Sequence, residues 1–327
     1  MSLRSYNAPL KYGKKILPQD IAGMIGLPYV GNIFYVDPSA GDDSANDGSS
    51  QDNALATVAA AFDKCTSGQH DVIVIAPTGG TGRTSETTDI TWNKRFTHLI
   101  GNAAPTVQDA RAGMSFTGAT GTPTSSITIS ENGCIFKNIT LTSTADINVF
   151  VTISGDYNAF LGVDFKGALD GTAGDDTASR ALVLDGGQEN YFGGCTFGAD
   201  TFARSTTNAT VEFKTAASRN VFENCRFIMH ADNVGANHIL LSEANSIDRW
   251  VEFKDCFFYT FWANDADKIT HVIDAETQTT TAHINLTGNT VMEGADNWEA
   301  VDSGKVYAYN YTATANIIGK LVLVDVA

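Results

Sequence analysis

One phrase recurs along the middle of this chain at a nearly constant interval, and the interval limits what the chain can fold into. Four copies fix its register: Asn158-Ala-Phe-Leu-Gly-Val-Asp-Phe165, Asn190-Tyr-Phe-Gly-Gly-Cys-Thr-Phe197, Asn220-Val-Phe-Glu-Asn-Cys-Arg-Phe227 and, with one residue inserted, Trp250-Val-Glu-Phe-Lys-Asp-Cys-Phe-Phe258. The leading phenylalanines Phe160, Phe192, Phe222 and Phe253 are 32, 30 and 31 residues apart. Fainter copies flank them at Phe136-Lys-Asn-Ile-Thr-Leu141 and Leu286-Thr-Gly-Asn-Thr-Val291. Each copy follows an alternating apolar segment: Ser126–Ile129, Val149–Ile153, Ala181–Leu184, Thr210–Phe213 and His238–Leu241. Two strands per period, joined by turns of variable length, cannot bury their apolar faces alone, so successive units must stack.

The spacing inside the phrase then has a physical meaning. The cysteine and second phenylalanine stand at i and i+2 and share one face of a strand, with the first phenylalanine across a bend. Stacking turns each position into a ladder. Phe160, Phe192, Phe222, Phe253, Cys195, Cys225 and Cys256 are therefore expected in the core, the cysteines as small hydrophobes. Asn158, Asn190 and Asn220 suit a turn in which an amide ladder meets the backbone. The predicted fold class is all-β: a single-stranded parallel β-helix.

Charge narrows the partners. The chain carries a formal net charge of −16, a field that repels polyanions and argues against nucleic acid or an anionic membrane surface as partner. The charge is uneven. Residues 1–31 hold Arg4, Lys11, Lys14 and Lys15 against Asp20, a net of +3 that leaves −19 for the remainder. Prolines and glycines interrupt those 31 residues, which read as an extended basic N-terminal arm with, at most, a helical turn over Gln19 to Ile25. No segment approaches the length of a membrane span. The N-terminus lacks the apolar run of a signal peptide, so synthesis in a host cytoplasm is expected. Five cysteines without Cys-x-x-Cys spacing point to reduced thiols.

After the arm, Asn32–Asp37 reads as a strand, and Leu55, Val58 and Phe62 give residues 53–65 the spacing of a short amphipathic helix. Asp71–Ala76 is a continuous apolar run of the kind buried in a parallel sheet. Together with Gly41-Asp-Asp-Ser-Ala-Asn-Asp-Gly-Ser49 and Thr97-His-Leu-Ile-Gly101, this opening resembles that of pectin-lyase-like right-handed parallel β-helix proteins. The resemblance implies a right-handed helix over 32–295 with an N-terminal cap helix near 53–65. Beyond it, Lys305–Asn310 and Lys320–Ala327 read as strands, so the segment 296–327 is expected to close the open end or mediate oligomerisation. Asn53-Ala54-Leu55 stands where the family has Pro and an aromatic before the cap helix. The family includes polysaccharide lyases, hydrolases, phage tailspikes and non-enzymatic virion proteins, so the resemblance leaves function open.

Chemistry is sparse. A lyase would need carboxylates around Ca²⁺ beside a basic residue, and a polygalacturonase Gly-His-Gly and Arg-x-Lys elements; neither pattern is present. A glycosidase pair drawn from distant coils would come from Asp164, Glu223, Glu252 and Asp255, which stand on or beside the signature strand; the alternative is that they are solvated outward positions. Asp42, Asp43 and Asp47 lie in an oxygen-rich loop with a turn glycine but no bidentate Glu at the expected offset, so no metal and no cofactor is expected. Six histidines are widely spaced without a cluster. Phe257, Phe258, Tyr259, Phe261 and Trp262 form the densest aromatic run, and any exposed sugar platform should lie there.

The leading expectation is a virion structural protein. It would be a capsid decoration (cement) protein of a tailed bacteriophage on the virion surface, homotrimeric, with Arg4, Lys11, Lys14 and Lys15 docking on the major capsid protein. The first alternative is a tailspike or receptor-binding protein that binds or cleaves host glycan. The second is a free polysaccharide lyase or hydrolase.

Overall fold

The computed structural model is a right-handed parallel β-helix. It describes residues 18–104, 106–109, 112–117, 125–169, 171–174, 176–299 and 304–308. Each coil contributes three strands, one more than the repeat suggested, because the bend inside the signature splits it between two sheets. A typical coil runs Val149–Ile153, Ala159–Leu161 and Asp164–Ala168 before Arg180–Asp185 opens the next. The three resulting sheets have ten, eight and eight parallel strands. We call them A (through Ala159–Leu161), B (through Asp164–Ala168) and C (through Val149–Ile153).

The interior is built from ladders. Phe136, Phe160, Phe192, Phe222 and Phe253 are register partners on sheet A, and their rings stack at 5.0, 4.8, 4.5 and 4.8 Å between centroids. Phe165, Phe197, Phe227 and Phe258 form a second stack on sheet B. The two stacks meet edge to face, as between Phe192 and Phe197, an arrangement that suits the ring quadrupoles. Cys195, Cys225 and Cys256 are buried and free. Their thiols donate to the carbonyls of Phe160, Phe192 and Phe222 one coil back, at 3.3, 3.2 and 3.3 Å. Burial holds the Cys225 and Cys256 thiols well above their usual range, so they stay protonated and serve packing.

The asparagine ladder is present as well. Asn158 Oδ1 accepts from Cys134 N, Asn190 Oδ1 from Asn158 N, and Asn220 Oδ1 from Asn190 N. The Nδ2 groups donate to the carbonyls of Glu131, Gly155 and Gly187. One side chain per coil thus satisfies buried donors and acceptors that the turn from sheet C to sheet A leaves open. The bend from sheet A to sheet B has its own rule. Asn138, Gly162, Gly194, Asn224, Asp255 and Gly288 all hold φ between 52° and 64°, a left-handed conformation that only Gly, Asn and Asp adopt at little cost.

At the N-terminal end, helix α1 (Pro18–Ile25) is a two-turn helix where at most a turn was expected. Ile21 and Ile25 lie one turn apart and pack with Tyr35, Val72, Val74 and Ile100 on the outside of sheet A. Leu27 N donates to Ala22 O across Gly26 at φ 76°, which ends the helix. Helix α2 (Val58–Lys64) is the cap helix, within the expected 53–65. Thr57 Oγ1 accepts from Ala60 N, and Glu86, from sheet B, accepts from Val58 N and Ala59 N. A carboxylate from the next coil therefore supplies the capping that the missing Pro and aromatic had left open. Val306–Ala308, within the expected closing segment, pairs with His283–Thr287 as the tenth strand of sheet A. The arm residues 1–17, with Arg4, Lys11, Lys14 and Lys15, and residues 309–327 lie outside the described residues.

Asn190→Ala leaves Asn158 N and Gly155 O unpaired in the interior and should lower unfolding stability by about 1–3 kcal/mol per stranded group. Urea denaturation followed by tryptophan fluorescence reads this; a midpoint equal to that of the parent chain would mean the ladder is dispensable.

Candidate functional site

The four carboxylates read from the sequence do not converge. Glu223 and Glu252 lie on the outer side of sheet A, where Glu223 pairs with Lys254 at 2.8 Å and accepts from Tyr191 Oη, and Glu252 accepts from Thr287 Oγ1. Asp255 occupies a left-handed bend and accepts from Asn289 N. Asp164 alone stands on sheet B, and it is 2% exposed rather than solvated. The reason is a connection that no periodicity could reveal: Val107 and Asp109, after His98–Gly101, lie over the outside of sheet B at Asp164 and Thr196.

That covering builds the site. Asp109 N donates to Asp164 Oδ2 at 2.9 Å across 55 residues of sequence, and Thr196 Oγ1 donates to Val107 O at 2.6 Å. The Asp109 carboxylate bridges Arg83 and Lys166, the latter at 2.8 Å. Asp109 itself has φ 72°, the left-handed conformation that aspartate tolerates better than most residues. Thr140 Oγ1 lies 3.4 Å from Asp164 Oδ2, while Asp164 Oδ1 is buried with no hydrogen-bond partner. Burial pushes the Asp164 carboxyl up to about 7, against the opposing pull of Lys166, Thr140 and Arg83. A carboxyl poised there holds or releases a proton near neutrality, the property required of a general acid or base.

From Asp164 a column of outward residues runs along sheet B through Thr196, Arg226, Phe257 and Val291, each the register partner of the one before. Arg226 is exposed, Phe257 half-buried and Val291 exposed. The aromatic run resolves as alternation requires: Phe258 and Thr260 point inward, while Phe257, Tyr259 and Phe261 point out. The Phe257 and Tyr259 rings lie 6.0 Å apart, and Phe261 meets His230 edge to face at 4.8 Å. With strands about 4.8 Å apart, the column from Asp164 to Phe257 spans about 14 Å.

Elsewhere, the three loop aspartates serve the backbone. Asp42 accepts from Ser44 N and Ala45 N, Asp43 from Ala56 N and Thr57 N, and Asp47 from Ser49 N. Among the described residues no three His, Cys, Asp or Glu side chains gather as metal ligands. Sequence reading found no histidine pairing, yet His70 Nδ1 lies 3.2 Å from His98 Nε2 beneath the Phe96 ring. Burial, and then His70, pulls His98 down to about 4, so the His98 ring is neutral at ordinary pH.

Comparison with known proteins bears on the fold. A pectin methylesterase mutant crystallised with one hexasaccharide superposes with TM-score 0.53 at 16% identity, over 87% of this chain and 90% of that one. A pectin methylesterase complex with another hexasaccharide gives 0.52 at 16% identity over the same shares. Pectate lyase Pel9A gives 0.47 at 14% identity, over 85% of this chain and 74% of that one. The two methylesterase structures share the right-handed parallel β-helix fold of this chain, and at such identities the likeness is one of fold alone. No protein-family model matches the sequence, and no curated protein matches it.

The raised Asp164 carboxyl has a stability signature. Its folded value near 7 lies above the ordinary aspartate value of about 3.9. The folded chain therefore keeps this proton over a range where the unfolded chain has lost it. The stabilisation is full at low pH and is lost as pH rises towards 7. Asp164→Asn lacks that dependence, so the variant should gain on the parent between pH 4 and 7 and hold a constant difference above. Parallel stability profiles for the two proteins would show that Asp164 titrates normally.

Proposed function

We propose that this β-helix binds a polysaccharide strand along the outer face of sheet B. The observation that carries the reading is the outward row of Arg226 and its register partner Phe257 on sheet B, with Tyr259 and Phe261 alongside. It combines flat apolar rings and one exposed cation on a single rigid surface. Sugar rings present apolar faces and polar edges, and a mostly aromatic surface with a few placed polar groups suits them. The structural likeness to a pectin methylesterase that holds a hexasaccharide supports the same class of ligand. This is the alternative rather than the leading expectation from sequence, and it covers binding alone.

A particle role remains the second reading, supported by charge segregation: a net of +3 in residues 1–31 against −19 in the body. On that reading a homotrimer decorates a tailed-phage capsid, and the segment bearing Arg4, Lys11, Lys14 and Lys15 contacts the major capsid protein. Since α1 packs on sheet A, the informative truncation removes residues 1–17 and keeps α1. It should abolish co-sedimentation with capsids and leave polysaccharide binding intact; full occupancy of the truncated chain on particles would reject the arm as anchor.

For the polysaccharide reading, affinity electrophoresis through gels containing neutral and uronic-acid polysaccharides is the direct measurement. The double variant Phe257→Ala with Tyr259→Ala should weaken binding at least tenfold, about 1.4 kcal/mol, with an unchanged circular dichroism spectrum. Undiminished binding by the variant would reject this face, and no retardation in any gel would reject the ligand class.

A further inference from the structure

The middle coils bury a cation that nothing described around it neutralises. Arg204 ends the strand Thr196–Arg204 at the corner between sheets B and C and is 7% exposed. Its Nη1 donates to Ser179 Oγ at 2.6 Å. No carboxylate among the described residues pairs with it. Arg180 beside it is provided for: its Nε meets Glu212 Oε2 at 2.9 Å and its Nη1 donates to the carbonyls of Thr177 and Ser179. Glu212 is already shared, because Lys214 Nζ lies 3.3 Å from its other oxygen. Asp176 acts on Arg180 from farther away. Glu212, shared with Lys214, and the more distant Asp176 thus answer Arg180, while Arg204 feels only the Arg180 charge.

Arg204 stays charged there. Burial, and then the Arg180 charge, brings it down to about 10, still far above neutrality, and a buried ion without a counter-charge is costly. Two buried groups near it also lack partners: Thr210 Oγ1 and His238 Nδ1 make no hydrogen bond. Thr210 and His238 are neighbours across sheet C, between the register pairs Ala209 with Asn237 and Val211 with Ile239. Burial, and then the Arg204 charge, pulls His238 down to about 3, so its ring is neutral. His238 Nε2 lies 2.9 Å from Thr260 Oγ1. If that hydroxyl donates to Nε2, the ring proton sits on Nδ1, and Nδ1 becomes one more donor without an acceptor.

We propose that this corner is a buried site for a small monovalent anion of the halide class, held by the Arg204 guanidinium and the donors of Ser179, Thr210 and His238. A fixed cation ringed by hydroxyl and imidazole donors suits an anion and repels a metal cation. The site does not depend on the polysaccharide reading, since its residues lie at the corner rather than on the outward column of sheet B. Its function is structural: the anion offsets the charge that the corner concentrates.

Crystals of the full chain soaked in sodium bromide test it by anomalous scattering, alongside thermal unfolding at constant ionic strength with bromide or fluoride. A bromide peak between Arg204 and His238 is expected, together with a bromide-dependent rise in Tm of about 2–4 °C. Thr210→Val, which keeps the shape of the corner, should need several-fold more bromide for the same rise. Arg204→Met should abolish the rise if that variant folds. Absence of the peak, with equal bromide responses in the parent and Thr210→Val, would overturn the proposal.

Discussion

The constraint on which everything else in this molecule depends is the distance between neighbouring strands. Parallel strands stack about 4.8 Å apart, and every coil must present to the next a residue that is satisfied at that separation. Flat rings meet the condition by stacking, as the phenylalanine columns do at 4.4 to 5.0 Å. Asparagine meets it because one amide reaches the backbone of the coil before it on two sides. A thiol meets it by donating to a carbonyl one coil back while packing as a hydrophobe. The residues of the repeat are therefore solutions to one geometric problem.

An interior committed to stacking leaves the outer faces free to differ, and they do. Sheet A is partly covered by α1 at one end and carries surface ion pairs such as Glu223 with Lys254 along its length. Exposed pairs of this kind contribute little to stability. Sheet B carries the covering segment, the raised Asp164 carboxyl and the outward aromatics. Arg83 and Lys166 are paired with Asp109 beneath that segment, which leaves Arg226 as the exposed cation of the column within a body of net −19.

The ladders were legible in the sequence because stacking forces one residue type to recur at one interval, so Phe160, Cys195 and Asn190 announced themselves. The left-handed bend was legible too and was missed: Gly162, Gly194, Asn224, Asp255 and Gly288 stand at one place in successive copies, and that restricted alphabet is the signal for positive φ. Reading Asp255 as a candidate acid overlooked it. Asp164 was named, but as one of a converging set and as a solvated side chain. Its actual partners outside its own coil, Arg83, Asp109 and Thr140, come from separate stretches of the chain. The covering segment that joins them has no period, so the sequence holds no pattern that would pair them.

The two places where chemistry collects are also where the repeat breaks. Sheet B shifts register between Phe165 and Gly167, and again between Ala199 and Ala203. The first shift inserts Lys166, which reaches Asp109 on the outer face. The second sets Asp200, Thr201 and Phe202 outside the ladder, and Arg204 follows it into the corner it shares with Ser179. A bulge leaves a residue unpaired and re-aims the side chains after it. In a fold whose stability comes from every coil repeating the last, an interruption forfeits ladder contacts. Such an interruption persists when what it positions offsets that loss, and both shifts position a buried cation. The irregular coils of sheet B, rather than its regular ones, are therefore where the specificity of this molecule resides.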